Sequence, residues 1–450
     1  MNAVISARPE LRRSDARLEL TEVPRRLSPL LCGICILLLF AVLSFGAVEQ
    51  WSISILETGL ALLFLTWATR QLVIGEVKFQ PNPLYAPAIV FGVAVMLQLG
   101  FNLTAYRYTT LVAGSEYLAY GMLLFLTVQS LVNARCSKTI VLVLIVFGFA
   151  LAVFAISQGL TSNGRIYWLR TLRNGGAIFG PYVNRDHYAG LMEMLCPVPI
   201  VLSLSALVRG GRRVLIGFAG VVMAGSIVLS QSRAGTASFL VEMALLLVLL
   251  LGRRKNGRIV AAMGSVCLTV LAFAAWLGTA ALWQRFTNVQ DWMRLAIIKD
   301  GLRMFWQRPI LGWGLGTFTT VYPQFRSFHT NLFVNAAHND YVQALVETGI
   351  VGFAAILWFV VAMYRQGLRN LGSWDRSWSR TLGLAAVVGC TGVLAHSAFD
   401  FNLQIPANAC MFYFLCAVAT RTASLAESTS AQRARTRQSG GDHAARFSHI

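Results

Sequence analysis

Charge is what this sequence has least of. Only 13% of its 450 residues are Asp, Glu, Lys or Arg, about half the share found in soluble domains. Against that, 56% are hydrophobic and the mean hydropathy is +0.61. A chain this poor in charge cannot cover itself with polar surface in water, so an ordinary soluble globular protein is excluded. Other absences narrow the chemistry. GWGLGTF (312–318) is glycine-rich, yet no Lys-Ser/Thr follows it and no strand precedes it, so it is no nucleotide phosphate loop. Cys32 and Cys35 form a C-x-x-C inside an apolar run with no second pair, which reads as core cysteine, not zinc or redox chemistry. No His, Cys and Asp set has metal-ligand spacing and no Ser-His-Asp nucleophile is indicated, so neither metal nor cofactor is expected. There is no internal repeat and no soluble catalytic domain.

What is present is a series of long apolar runs. A bilayer core needs about 20 apolar residues per helix, and twelve runs qualify, starting near 30, 51, 84, 114, 138, 187, 213, 234, 259, 343, 381 and 403. The expected fold is an all-α polytopic membrane protein of about 12 transmembrane helices, with a long extracytoplasmic loop containing interfacial helices. Its 38 glycines fit, because small residues let membrane helices approach closely. The expected division is a polar, disordered tail over 1–29, a membrane domain over 30–421 and a second such tail over 422–450. The first run, preceded by a tail carrying both signs of charge, reads as a retained helix and not as a signal peptide.

The net charge of +19 raises the question of nucleic acid, and its distribution answers it. With a cytoplasmic N-terminus, about two thirds of the 38 Lys and Arg fall on inner segments, RGGRR (209–213) and RRKNGR (253–258) among them. Positive-inside bias therefore places both termini in the cytoplasm. The excess is a topology signal; no nucleic-acid partner is expected.

Two outer segments, about 160–186 and 284–342, are too long for turns and rich in aromatics; such loops carry function when ordered. The longer one closes on AHNDYVQALVETG (337–349), which puts His338 on the extracytoplasmic side, followed by Asn339, Asp340 and Glu347. Arg233, in LSQSRAGTASFL, occupies a short outer turn; it either snorkels to the interface or binds an anion. VQDWMRLAIIKDGLRMFWQRP (289–309) reads as an interfacial amphipathic helix. Lys299, Asp300, Arg303 and Gln307 share its polar arc, and Arg294 points the opposite way, toward a carboxylate or an anion. Glu57, Glu193, Glu242 and Glu347 fall inside spans, where each costs about 2.5–3.5 kcal/mol at the bilayer centre. They must face protein, water or a cation. Asn184, Arg185 and His187, at the head of the run holding Glu193, extend the polar set at the outer leaflet.

Arginine's planar fork suits phosphate oxygens, and histidine takes a proton near neutral pH. Two outward arginines and a histidine at a membrane cavity thus suit displacement of a pyrophosphate leaving group by an activated hydroxyl. The motifs also carry a resemblance. SRAG after a span, Arg294 followed by Q-x-P-x-x-G-x-G-x-G-x-F from Gln307 to Phe318, and HNDYVQALVETGIVG (338–352) resemble the O-antigen ligase/polymerase superfamily over about 215–365. FGPYVNRDHYAGLMEMLCP (179–197) and AHSAFDFNLQIPAN (395–408) are similar to flanking segments of its exopolysaccharide-associated members.

The resemblance implies a metal-independent glycosyltransferase of the bacterial inner membrane, acting on undecaprenyl-pyrophosphate-linked glycan at the periplasmic face. It implies that Arg233 and Arg294 bind pyrophosphate and that His338 is the base. Arg303, His187, Asn184, Arg185, Asn339, Asp340 and Glu347 are supporting candidates. One position departs from the pattern: Ile298 stands where R-x-x-x-W-x-x-A is expected, which leaves Arg303 and Arg285 as alternatives to Arg294. Expected partners are the lipid-linked glycan, a saccharide or lipid-linked acceptor, membrane lipids and a chain-length regulator. Polymerisation of O-antigen or exopolysaccharide repeats is the leading reading, and ligation to a lipid A core is the alternative. Other classes are a lipid-linked sugar flippase or proton-coupled transporter, and a transferase glycosylating protein Ser, Thr or Tyr.

Overall fold

A computed structural model of the chain describes residues 29–251, 264 and 289–421, apart from 76, 78, 132–133, 173–175, 332 and 370. The tails expected before residue 29 and after 421, the run starting near 259 and Arg285 lie outside the described residues. The chain is an all-α polytopic membrane protein. Its helices are α1 (Pro29–Leu43), α2 (Gln50–Ile74), α3 (Tyr85–Gly100), α4 (Arg107–Ser130), α5 (Ala134–Leu160), α6 (Arg185–Leu195), α7 (Pro197–Leu204), α8 (Gly211–Leu229) and α9 (Arg233–Leu251). After the gap come α10 (Val289–Gln307), α11 (Asp340–Gly367), α12 (Trp378–His396) and α13 (406–421). A two-residue hairpin, Arg165–Ile166 against Arg170–Thr171, decorates the first long loop.

Among the described residues, eight helical stretches are long and apolar enough to cross a membrane, with α6 and α7 together forming one of them; α1 and α3 are shorter apolar helices. The helix divides at Pro197, which has no N–H to return to the Glu193 carbonyl. Burial sorts the bundle. The 185–204 stretch is 89% buried and α12 72%, whereas α2 is 17% buried, so the former build the centre and the latter meets the surroundings. Leu65, Leu72, Ile89, Met96, Val214 and Leu215 are all more than half exposed, a load of bare apolar side chain that only lipid accommodates. Cys32, expected in the core, lies on this outer surface of α1.

Long-range hydrogen bonds gather the loops into two rims. On one, Tyr167 donates to the Leu43 carbonyl, Arg308 to Leu103, Arg185 to Gln231 and Asn339 to Ala398. On the other, Gln80 meets Gln129, Asn82 donates to Thr420, Arg421 to Leu131 and Ala206 to Asp375. The expected outer segments share the first rim. The turn after α7 that leads into RGGRR belongs to the second.

α10 forms as expected, but its polar arc does not. Lys299, Arg303 and Gln307 are exposed, while Asp300 is fully buried. It accepts from the Ser327 backbone N–H at 3.0 Å, the Ser327 hydroxyl at 3.1 Å and Tyr322 at 3.3 Å. The segment following α10 folds back over it, and a buried carboxylate needs such donors. Ile297 and Met304 pack inward with Val342 and Val346 of α11. Trp292, Leu295, Leu302 and Trp306 form an exposed apolar stripe, as on a helix lying at a bilayer surface.

α11 is broken. Gly349 has φ 63°, and the loop after α10 plugs the gap. Ile350 donates to the Pro309 carbonyl at 2.8 Å, Trp313 to Val346 at 2.9 Å and Gly314 to Glu347 at 3.0 Å. Non-helical backbone at membrane depth is stable only when protein groups satisfy it. Gln98 of α3 completes the seal by donating to the carbonyls of Leu311 and Glu347 and accepting from Leu315. GWGLGTF is thus the turn after α10 that the sequence indicates, and also the filler of a helix break.

Candidate functional site

His338 ends the loop that precedes α11, with φ 50°, a left-handed conformation histidine tolerates better than most residues. Its side chain is 24% exposed and its Nδ1 lies 3.3 Å from Asp400 Oδ1. That hydrogen bond assigns the proton to Nδ1 and leaves the Nε2 lone pair available. Asp400 sits in the turn after α12, fixed by the Phe401 N–H at 2.9 Å. The Phe401 ring stands edge-on between His338, at 5.0 Å, and the buried His187, at 4.8 Å.

The residues after His338 build the frame. Asn339 caps α11 by accepting from Val342 at 3.0 Å, as a good N-cap does, and donates across to Ala398 at 2.8 Å. The Asp340 N–H donates to Ser397, and its carboxylate accepts from the Ser397 hydroxyl at 2.8 Å and the Leu403 N–H at 3.1 Å. Asn339 and Asp340 therefore clamp the 397–404 turn that carries Asp400. Glu347 is spent elsewhere: its carboxylate accepts from Gly316 at 2.8 Å, Phe318 at 3.3 Å and Gln343 at 3.1 Å, holding the glycine loop.

Arg294 reaches the same turn, donating to the Phe399 carbonyl at 3.3 Å. Burial would raise the Asp400 carboxyl, but the His338 hydrogen bond and the nearby His187, Arg294 and His338 outweigh it and hold it below the usual carboxylate range. Arg303 turns the other way; its side chain is 68% exposed and pairs with Asp300. Of these two arginines the fold brings Arg294, not Arg303, to the turn that carries Asp400.

Arg233 opens α9 just after Gln231, itself left-handed at φ 60°. Gln231 accepts from Arg185 at 3.4 Å, and a side chain at Gly235 would press on Ala189 of α6. The starts of α9 and α6 are therefore neighbours on the first rim, where helix N–H groups and the positive dipole end favour anions. Asn184 caps α6 by accepting from Asp186 at 2.9 Å.

Below the rim lies an apolar cleft with roughly 930 Å³ of empty space, counting its open mouth; Asp340 and Gln404 line its head and Phe91, Phe359 and Tyr413 its depth. The assembly offers an imidazole paired with Asp400, a guanidinium on the turn that carries Asp400, and an apolar cleft headed by Asp340 and Gln404. Asp400 and His396, buried at the same rim, were not among the residues the sequence singled out. The signal was there: two ionisable side chains within a few residues of each other at the edge of an apolar span.

Residues 218–357 match the family described as O-antigen ligase, a stretch that includes Arg233, Arg294 and His338 but stops short of Asp400. No curated protein matches the chain. Together with the membrane-spanning all-α fold, this matched segment supports membership of the O-antigen ligase superfamily.

Proposed function

We propose that the protein transfers saccharide from an undecaprenyl-pyrophosphate donor to a hydroxyl acceptor at the periplasmic face of the bacterial inner membrane, extending O-antigen or exopolysaccharide repeats. The O-antigen ligase match supports a glycan-transferring membrane enzyme in general. The observation that carries the finer reading is the His338–Asp400 pair with Arg294 on the same turn. The acceptor hydroxyl attacks the anomeric carbon and its proton passes to His338 Nε2. The bond from that carbon to the pyrophosphate oxygen breaks, and the leaving lipid pyrophosphate keeps the electron pair. Arg294 and Arg233 neutralise the charge that grows on it, where fixed cations contribute most to rate. Asp400 holds the imidazole in the required tautomer, and the apolar cleft receives the isoprenoid tail. The positive-inside bias supports a periplasmic first rim and cytoplasmic termini.

The test uses a deletion strain complemented with Arg233→Ala, Arg294→Ala or His338→Ala. Each variant is expected to remain in the membrane, by immunoblot, while long-chain surface polysaccharide disappears from gels. Normal ladders in all three overturn the assignment. Loss of glycan from the lipid A core, with polymer still present on its carrier lipid, identifies ligation instead.

A further inference from the structure

Beside the base, the fold assembles a second cluster that shares only Asp400 with the transfer chemistry. Asp186 lies in the first turn of α6, His396 is the last residue of α12 and Asp400 follows four residues later. One ligand atom from each falls within 4.8 Å of the others. His396 and Asp400 are fully buried, and His396 Nε2 and Asp400 Oδ2 have no hydrogen-bond partner among the described residues, a costly state for polar atoms out of water. The remaining atoms are already committed. His396 Nδ1 lies 2.8 Å from Glu193 Oε1, and Asp400 Oδ1 is taken by His338 and the Phe401 N–H. A carboxylate on Nδ1 fixes the imidazole tautomer so that Nε2 presents its lone pair, the arrangement that supports histidine ligands in metal sites.

We propose that Asp186, His396 and Asp400 bind a divalent transition-metal cation, with Glu193 orienting the histidine. Two carboxylate oxygens and one imidazole nitrogen suit Mn²⁺ or Zn²⁺ better than Mg²⁺, which prefers all-oxygen surroundings. The three side chains come from segments far apart in sequence, which is why spacing along the chain showed no ligand set and no metal was expected. Bound there, the cation ties α6 to the turn after α12 and satisfies Asp400 Oδ2 while Oδ1 holds His338. It is a positioning ion: it does not touch substrate, and the roles of Arg233, Arg294 and His338 stand without it.

The experiment is metal binding by the full chain in lipid nanodiscs, stripped with EDTA and titrated with Mn²⁺ under electron paramagnetic resonance, then with Zn²⁺ by elemental analysis. One ion per chain is expected, with nitrogen-14 modulation of the Mn²⁺ echo from the histidine. Asp186→Asn, close in shape and at a partly buried position, is expected to weaken binding at least tenfold. Glu193→Gln is expected to weaken it by about tenfold, as loss of a ligand's supporting partner does. Absence of a stoichiometric ion, absence of nitrogen modulation, or unchanged affinity in Asp186→Asn overturns the site. The echo measurement uses the unaltered protein, so the outcome does not depend on a variant folding.

Discussion

At the residue scale, the account turns on which side chains share the rim with His338. Asp400 is predicted to matter as much as the base it orients. Asp400→Asn replaces the carboxylate with an amide that can turn its NH₂ toward Nδ1 and select the wrong tautomer, and glycan-transfer rate is expected to fall about 10²–10⁴-fold, the size of a general-base contribution, at unchanged protein level. Arg303→Ala is the matched control. Its guanidinium is mostly exposed and bound to Asp300 on the other side of α10, so activity in the same membrane assay should stay within about twofold of wild type. Loss of activity in Arg303→Ala with retention in Arg294→Ala reverses the assignment. The sequence made Arg294, Arg233 and His338 legible because arginines on an outer face contradict positive-inside bias. It could not show the His338–Asp400 contact, which joins positions 62 apart in the chain. Nor could it show that Asp300 turns inward, since that follows from the fold of the segment around Ser327.

At the element scale, the break in α11 is the feature that seats the loop bearing Arg294. Gly349 is left-handed, and a side chain there would run into the Ile310 carbonyl and the Gly312 N–H. Both features work against Gly349→Ala. With φ 63° and ψ −167°, the conformation alone costs a residue other than glycine about 1–3 kcal/mol, and the loop backbone must also retreat. The variant should leave the monodisperse peak on detergent size-exclusion after milder heating than wild type. Gly92→Ala on α3, with nothing within 4 Å of the new methyl, should not. Equal heat resistance of the two variants contradicts the sealed-break reading. Helix positions were readable because lipid demands unbroken apolar length; starts expected near 30, 51, 84 and 213 fall at Pro29, Gln50, Tyr85 and Gly211. The expected start near 114 was late, since α4 begins at Arg107 and its first turn, Arg107 to Thr110, is polar. The breaks at Pro197 and Gly349 did not interrupt hydropathy, so they showed only in three dimensions.

At the scale of the whole molecule, the two rims make sidedness testable. The loops around 160–186, 231, 294–340 and 397–404 share one rim, and the turn leading into 209–213 belongs to the opposite one. Alkaline phosphatase fused after residue 330 should be active, because the enzyme matures only when exported, and a fusion after residue 210 should be inactive. The reverse pattern puts the arginines and His338 in the cytoplasm, where a periplasmic lipid-linked donor cannot reach them. On the proposed reading, sidedness, the apolar cleft beneath Asp340 and the His338–Asp400 pair serve one event: a lipid pyrophosphate held at the bilayer surface while its glycan departs. The most direct measurement of that event is undecaprenyl pyrophosphate released by purified protein in proteoliposomes supplied with lipid-linked repeats from the source bacterium. Wild-type protein is predicted to release the carrier in step with a lengthening or transferred glycan, and His338→Ala to release it at least about 100-fold more slowly. Equal release by both contradicts the account.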